Sequence, residues 1–161
     1  MEEEARIQLP AEPPRGMHNG KLDDKGRLKL PVQFQEYLSS FPEKKLFVTS
    51  IDRSTAQIYP IAIWRENEQL LKDFKTDPKI AKTVAFNAND LGADAEMDNQ
   101  GRVLINAELR RELDMDGQAL RVFSERGRIK VLTEVVYQAQ KLAAAKLAAE
   151  SAEKMEMEGL L

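Results

Sequence analysis

Apolar and polar positions alternate strictly through Arg27, Leu28, Lys29 and Leu30. A period of two belongs to a strand, so Leu28 and Leu30 face inward and Arg27 and Lys29 outward. Pro31 ends that strand and suits the first turn of a helix over residues 32–38. Residues 46–49 and 56–59 read as a second strand pair, followed by a helix over 61–74 that bears Trp64. Asp77-Pro78 breaks this helix or begins the next, and the connector 78–91 starts as helix. The pattern then returns. Residues 102–105 are strand material, and Asn106 is placed to cap a helix over 107–113. Strands at 121–124 and 129–132 flank a tight turn over Glu125–Arg128 (ERGR). Residues 134–158 form a long helical stretch, rich in alanine and free of proline and glycine. Val135, Val136, Ala139, Leu142, Ala143 and Leu147 give it one apolar stripe. Two readings of this tail stand: a solvated, fraying helix, favoured beyond about residue 148, or a helix packed on a neighbouring subunit.

The returning pattern is a repeat. Residues 20–31 (GKLDDKGRLKLP) lie over 95–106 (AEMDNQGRVLIN) without a gap, at an offset of 98 − 23 = 75. Phe34 then meets Leu109, and Leu38 meets Leu113. After one or two small deletions, 46–50 matches 120–124, Ile58-Tyr59 matches Val131-Leu132, and Trp64 falls on Tyr137. A match this long and ordered is a tandem duplication. Each copy reads as strand, turn, strand, short helix, strand, turn, strand, helix. DDKGR and DNQGR read as hairpin loops, with Gly26 and Gly101 supplying a positive φ. The chain divides into an acidic, proline-containing extension expected to be disordered (1–15), a first repeat (16–75), a connector (76–91), a second repeat (92–140) and a helical tail (141–161).

Composition narrows the chemistry. The 161 residues include one histidine, His18, and no cysteine, which excludes a disulfide framework, a thiolate metal site and a cysteine nucleophile. No phosphate-binding glycine loop, metal-ligand spacing or nucleophile–base pair is present, so no enzyme, cofactor, metal or small-molecule substrate is expected. No apolar run approaches the roughly 20 residues of a membrane helix, and the leader MEEEARIQLPAEPP is unlike a signal peptide. A cytoplasmic protein without a membrane partner is expected.

The net charge of −3 is unevenly spread. Residues 1–12 carry Glu2, Glu3, Glu4 and Glu12 against Arg6, or 1 − 4 = −3, so the remainder sums to zero. Residues 15–31 hold Arg15, Lys21, Lys25, Arg27 and Lys29 against Asp23 and Asp24, or 5 − 2 = +3. A local basic patch matters more to a polyanion than the whole-chain balance.

An aspartate four residues before an arginine, at the same place in both repeats, carries the most information. Arg27 and Arg102 are suited to grip a phosphate or the O6/N7 edge of guanine through their planar forks. Asp23 and Asp98 are suited to accept turn N–H groups or fix the arginine rotamer. An internal ion pair that only pins each hairpin explains the spacing equally well. Lys21, Lys25 and Lys29 favour the DNA reading, because a structural hairpin has no need of them. The second repeat has Glu96, Gln100 and Leu104 instead, so the first repeat would dominate any salt dependence. Arg15 could extend the patch. His18 reads as an ordinary strand residue, Trp64 and Tyr137 as equivalent core aromatics, and Ser50 and Ser124 as lacking a base.

HNGKLDDKGRLKLP, DNQGRVLI and the 75-residue offset together resemble the bacterial MraZ family over roughly residues 16–140. The resemblance implies an α+β fold: two tandem AbrB/SpoVT-like swapped-hairpin βαβ repeats around a small pseudo-symmetric β-barrel, with flanking helices and a long C-terminal helix. It also implies a nucleoid-associated transcriptional regulator, a repressor, forming a ring-like homo-oligomer of eight or more subunits. The ring would bind double-stranded DNA at direct repeats upstream of its own cell-division and cell-wall operon. Arg27 and Arg102 would then contact DNA, helped by Lys25, Lys29, Lys21 and Arg15, with Asp23, Gly26, Asp98 and Gly101 shaping the loops. Three features depart from the family: Asn106 replaces a usual proline, residues 130–136 lack an aromatic-acidic signature, and the leader and tail are extra. An AbrB-like antitoxin and a non-DNA oligomeric scaffold are the alternatives.

Overall fold

The computed structural model describes residues 8–161, so the acidic cluster Glu2, Glu3 and Glu4 with Arg6 lies outside the described residues. The first repeat comprises β1 (His18–Gly20), β2 (Arg27–Lys29), α1 (Val32–Ser39), β3 (Leu46–Thr49), β4 (Ala56–Pro60) and α2 (Ile61–Asp73). After α3 (Pro78–Leu91), the second supplies β5 (Ala93–Ala95), β6 (Arg102–Leu104), α4 (Ala107–Leu113), β7 (Leu120–Glu125), β8 (Arg128–Thr133) and α5 (Glu134–Lys146), followed by α6 (Ala148–Met157). The fold is α+β, as expected.

Local residues account for most boundaries. Asp77 caps α3 by accepting the Lys79 N–H at 3.0 Å, with Pro78 at the first helical position, so this pair begins a helix that runs the whole connector. Asn106 caps α4 by accepting from Leu109 at 2.9 Å, and Asp114 ends that helix in the left-handed region at φ 54°. Pro31 stands one residue before α1, at its N-cap, rather than within the first turn. Arg126 and Gly127, at φ 54° and 86°, make the two-residue turn between β7 and β8 that needs two left-handed residues.

The strands pair across repeats. The six-stranded sheet has the order β1-β7-β8-β4-β3-β5, and a two-stranded ribbon joins β2 to β6. Every ladder is antiparallel and has a counterpart under exchange of the repeats. His18 pairs with Val122 as Ala93 pairs with Val48, and Leu28 sits opposite its own equivalent, Val103. Gln57 faces Lys130 where β4 meets β8. A pseudo-twofold axis therefore passes through the ribbon and the centre of the sheet.

This changes the expectation for the first strand pair of each repeat. The loops are tight, with the Gly26 N–H donating to the Asp23 carbonyl at 3.1 Å and the Gly101 N–H to that of Asp98 at 3.0 Å. Yet β1 and β2 do not form a local ladder; an isolated Leu22–Leu28 bridge, beyond the end of β1, closes the loop onto β2. Alternation fixes the face a side chain occupies and leaves the partner strand open. Leu28, Leu30, Val103 and Ile105 point into the space between ribbon and sheet, where Phe34 of α1 and Leu109 of α4 meet them.

Two other expectations are corrected. Tyr137 is half-buried, not a core residue like Trp64: the Arg121 guanidinium lies 4.1 Å from its ring centroid. The equivalent of Arg121 is Phe47, whose ring packs 4.7 Å from Trp64, so repeat 1 builds an apolar cluster where repeat 2 carries a cation on an aromatic face. The C-terminal helix is also interrupted at Leu147 (φ −103°, ψ 4°), and neither α5 nor α6 buries a side chain. Leader residues Leu9 and Ala11 pack against the core, and the Ser124 hydroxyl donates to the Pro14 carbonyl at 2.6 Å.

Candidate nucleic-acid interface

The ribbon places both aspartate–arginine loops side by side. Arg27 lies opposite Leu104, and Lys29 opposite Arg102. With Leu28 and Val103 turned inward, the outer face of the ribbon carries Arg27, Lys29, Arg102 and the half-exposed Leu104. Pairing continues past the strand ends, since Ile105 N–H donates to the Gly26 carbonyl at 2.9 Å and Leu30 N–H to that of Gly101 at 3.0 Å.

Each aspartate organises its loop with both carboxylate oxygens. Asp23 Oδ1 accepts the backbone N–H groups of Lys25 and Arg27 at 2.9 and 2.8 Å, and Oδ2 accepts Arg27 Nε at 2.8 Å. Asp98 does the same for Gln100 (2.9 Å), Arg102 N–H (2.9 Å) and Arg102 Nε (2.8 Å). These donors, led by the arginine backbone N–H, hold the Asp23 carboxyl down at about 2 and lower that of Asp98 as well. Asp23 also stands 4.0 Å from Arg102 Nη1, so it serves both arginines. The clamp occupies Nε and leaves both Nη nitrogens of Arg27 without a hydrogen bond among the described residues. That outer edge is the fork that meets a phosphate or a guanine.

The remaining basic residues divide by position. Lys25 is exposed at the tip of the first loop, and Lys21 is exposed beside the turn at Gly117, Gln118 and Ala119. Lys29 Nζ donates to the Gln100 carbonyl and so braces one loop against the other. Arg15 is not brought into this cluster. Gly20 faces Leu120 and His18 faces Val122, so Arg15 lies farther along β7, near Ser124, and it pairs with Glu12 at 2.6 Å. His18 packs edge-on against Phe34, with centroids 5.1 Å apart, and the Ser50 hydroxyl donates to Asp52 at 3.3 Å. Among the described residues no group of acidic and histidine side chains could hold a metal ion, and no helix is long and apolar enough to cross a membrane.

Sequence reasoning missed two supports of the loops. Gly26 and Gly101 have φ of 82° and 77°, and a Cβ there would meet the Arg110 guanidinium and the Gln35 amide respectively. Gln35 donates to the Leu30 carbonyl at 2.7 Å, and Arg110 Nε to the Ile105 carbonyl at 2.8 Å. These residues are equivalent, 110 − 35 = 75, so the offset already linked them. Each repeat's short helix thus underpins the other repeat's loop.

Known proteins share about two thirds of this sequence's span. A protein of Acidobacterium capsulatum called transcriptional regulator MraZ is 36% identical over 106 residues, covering 66% of this chain and 73% of that one. The chain belongs to the MraZ family. A second MraZ, from Koribacter versatilis, is 34% identical over 105 residues, covering 65% of this chain and 71% of its own. The MraZ of Methylococcus capsulatus is 28% identical over 123 residues, or 76% and 80% of the two chains. No family model matches the sequence. Like its curated MraZ relatives, which are named transcriptional regulators, the chain is assigned to transcription regulation.

Proposed function

We propose that this chain is a sequence-specific DNA-binding repressor whose contact surface is the outer face of the β2–β6 ribbon. The observation that carries the reading is the pair of aspartate-clamped arginines, Arg27 and Arg102, set side by side, with both Nη nitrogens of Arg27 free of hydrogen bonds among the described residues. Arg27 and Arg102 reach base edges or phosphates, Lys25 and Lys21 add phosphate contacts, and Lys29 holds the loops in register. Asp23 and Asp98 restrict the guanidinium rotamers before DNA arrives, which reduces the ordering cost of binding. One ribbon is a small contact. A ring-like homo-oligomer presenting several ribbons to direct repeats upstream of its own operon converts weak contacts into avidity.

The test is a titration of the purified protein against its own upstream DNA, with intact and scrambled repeats at two salt concentrations. Arg27→Ala is expected to lose repeat-dependent binding while the oligomer persists. A bidentate base contact is worth about 1–3 kcal/mol per protomer, multiplied across the assembly. Equal binding to both DNAs, unchanged by Arg27→Ala, would overturn the reading and favour the scaffold alternative.

A further inference from the structure

The two repeats treat their last helices differently. In the first, α3 folds back beside α2, and the two enclose an apolar cleft of about 310 Å³ lined by Tyr59, Trp64, Leu70, Phe74, Ile80 and Val84. Leu70 and Ile80 stand at its mouth, 61% and 54% exposed. In the second, α5 continues into α6 with nothing folded back, and α6 buries no side chain. Among the described residues, one end of the molecule therefore has an open apolar cleft, and the other a helix with no partner.

Shape and charge match them. Helical spacing sets Ala148, Ala152 and Met155 on one stripe of α6, with Glu156 and then Glu153 along one flank, while Glu150 lies on the opposite face, 3.1 Å from Lys154. Small residues allow a helix to approach closely, and a methionine suits an irregular aromatic pocket such as that of Tyr59, Trp64 and Phe74. Residues 147–161 carry Lys154 against four glutamates, 1 − 4 = −3. Around the cleft, residues 72–82 carry Lys72, Lys75, Lys79 and Lys82 against Asp73 and Asp77, 4 − 2 = +2. All four lysines are exposed, and none makes an ion pair among the described residues.

We infer that the α2–α3 cleft receives α6 of a second copy of this chain, with Met155 seated among the cleft aromatics and the glutamate flank facing the lysines. The contact joins two different surfaces, so it is head-to-tail and propagates from copy to copy until it closes. It specifies one joint of the oligomer proposed above and does not depend on DNA.

The absence of cysteine from the sequence makes the test direct. Full-length Met155→Cys and Ile80→Cys variants are mixed under mild oxidation, and each is oxidised alone. The expected result is a mixed disulfide dimer that dominates over either self-linked product. In the double variant, linkage should yield a ladder of covalent multimers. Light scattering supplies the second arm: Ala152→Glu with Met155→Glu should lower the assembly mass without loss of helix by circular dichroism. A charge reversal of Lys72, Lys75, Lys79 and Lys82 to Glu should also lower it, and reversal of Glu153 and Glu156 to Lys in the same chain should restore it. Linkage confined to single chains in the double variant, or an assembly mass unchanged by the α6 glutamates, would overturn the inference. In the second case the ring reading would stand without this joint, whereas a monomeric wild-type chain would remove both.

Discussion

The first and second repeats share their inner architecture and differ on their outsides. The ladders match in register when the repeats are exchanged, and the buried positions match too, with Leu28 on Val103, Leu30 on Ile105 and Phe34 on Leu109. Outward positions have diverged: Lys21, Lys25 and Lys29 stand where the second repeat has Glu96, Gln100 and Leu104. One buried site has diverged too, with Phe47 packed on Trp64 where the second repeat has Arg121 on the half-buried Tyr137. Cross-repeat pairing explains the split. Each strand near the axis contacts the other repeat, so a change in one half must suit both, while an outward residue answers only to its surroundings. A chain of this kind can specialise its two loops without disturbing the frame that aligns them.

Core truncation at equivalent positions gives the largest expected effect. Phe34→Ala and Leu109→Ala each empty a fully buried site, and destabilisation of about 3–5 and 2–5 kcal/mol is expected in urea unfolding. Similar values would support a symmetric core, and a large gap would show that one repeat holds most of the stability. The next effect separates the clamps. Asp23 reaches Arg27 and Arg102, whereas Asp98 holds only Arg102, so Asp23→Asn should loosen both arginines and Asp98→Asn one. Arginine Nε signals in NMR check this, and equal behaviour of the two variants would remove the asymmetry. Gly26→Ala and Gly101→Ala force an L side chain into the left-handed region, for about 1–2 kcal/mol each. The Arg110 and Gln35 side chains must also move aside.

Smaller effects concern charge. Replacing Lys21 and Lys25 with Ala should reduce the slope of log affinity against log salt by about 1 for each phosphate that is no longer neutralised. Placing lysine at Glu96 and Gln100 should steepen it if both loops meet DNA as proposed. The mildest probe is acid. The Asp23 pKa is lowered from 3.8 to about 2, so its clamp contributes fully above about pH 4 and fades as pH falls toward 2. The Asp98 clamp should weaken in the same direction, because its pKa is also depressed. A carboxyl titration with either group at its ordinary value would mean that the clamp is absent in solution.

Much of this arrangement was legible in the sequence. The ungapped repeat located both loops, and alternation assigned Leu28 and Leu30 to the core and Arg27 and Lys29 to the surface, as found. The caps at Asn106 and Asp77 follow from short polar side chains before helical segments. The β3–β4 and β7–β8 pairs were read as found, but the partners of β1 and β2 were not legible, because β1 reads the same whether it pairs with β2 or with β7. Tyr137 was misplaced because equivalence to Trp64 fixes a position on a helix, while burial depends on what faces it, Phe47 in one repeat and Arg121 in the other. The interruption at Leu147 has no glycine or proline to announce it. Arg110 needed the cross-repeat contact itself, since nothing in the sequence around Gly26 points 84 residues ahead (110 − 26).

The exchange of strands also sets a timetable for synthesis. His18 pairs with Val122, 122 − 18 = 104 residues later, and Leu28 waits 103 − 28 = 75 residues for Val103. While the ribosome is still making the second half, β1 and β2 are exposed without their final partners, and the nascent first repeat offers open strand edges to its neighbours. Contacts this distant slow folding. A chain truncated before β7 would have no partner for its own first strand.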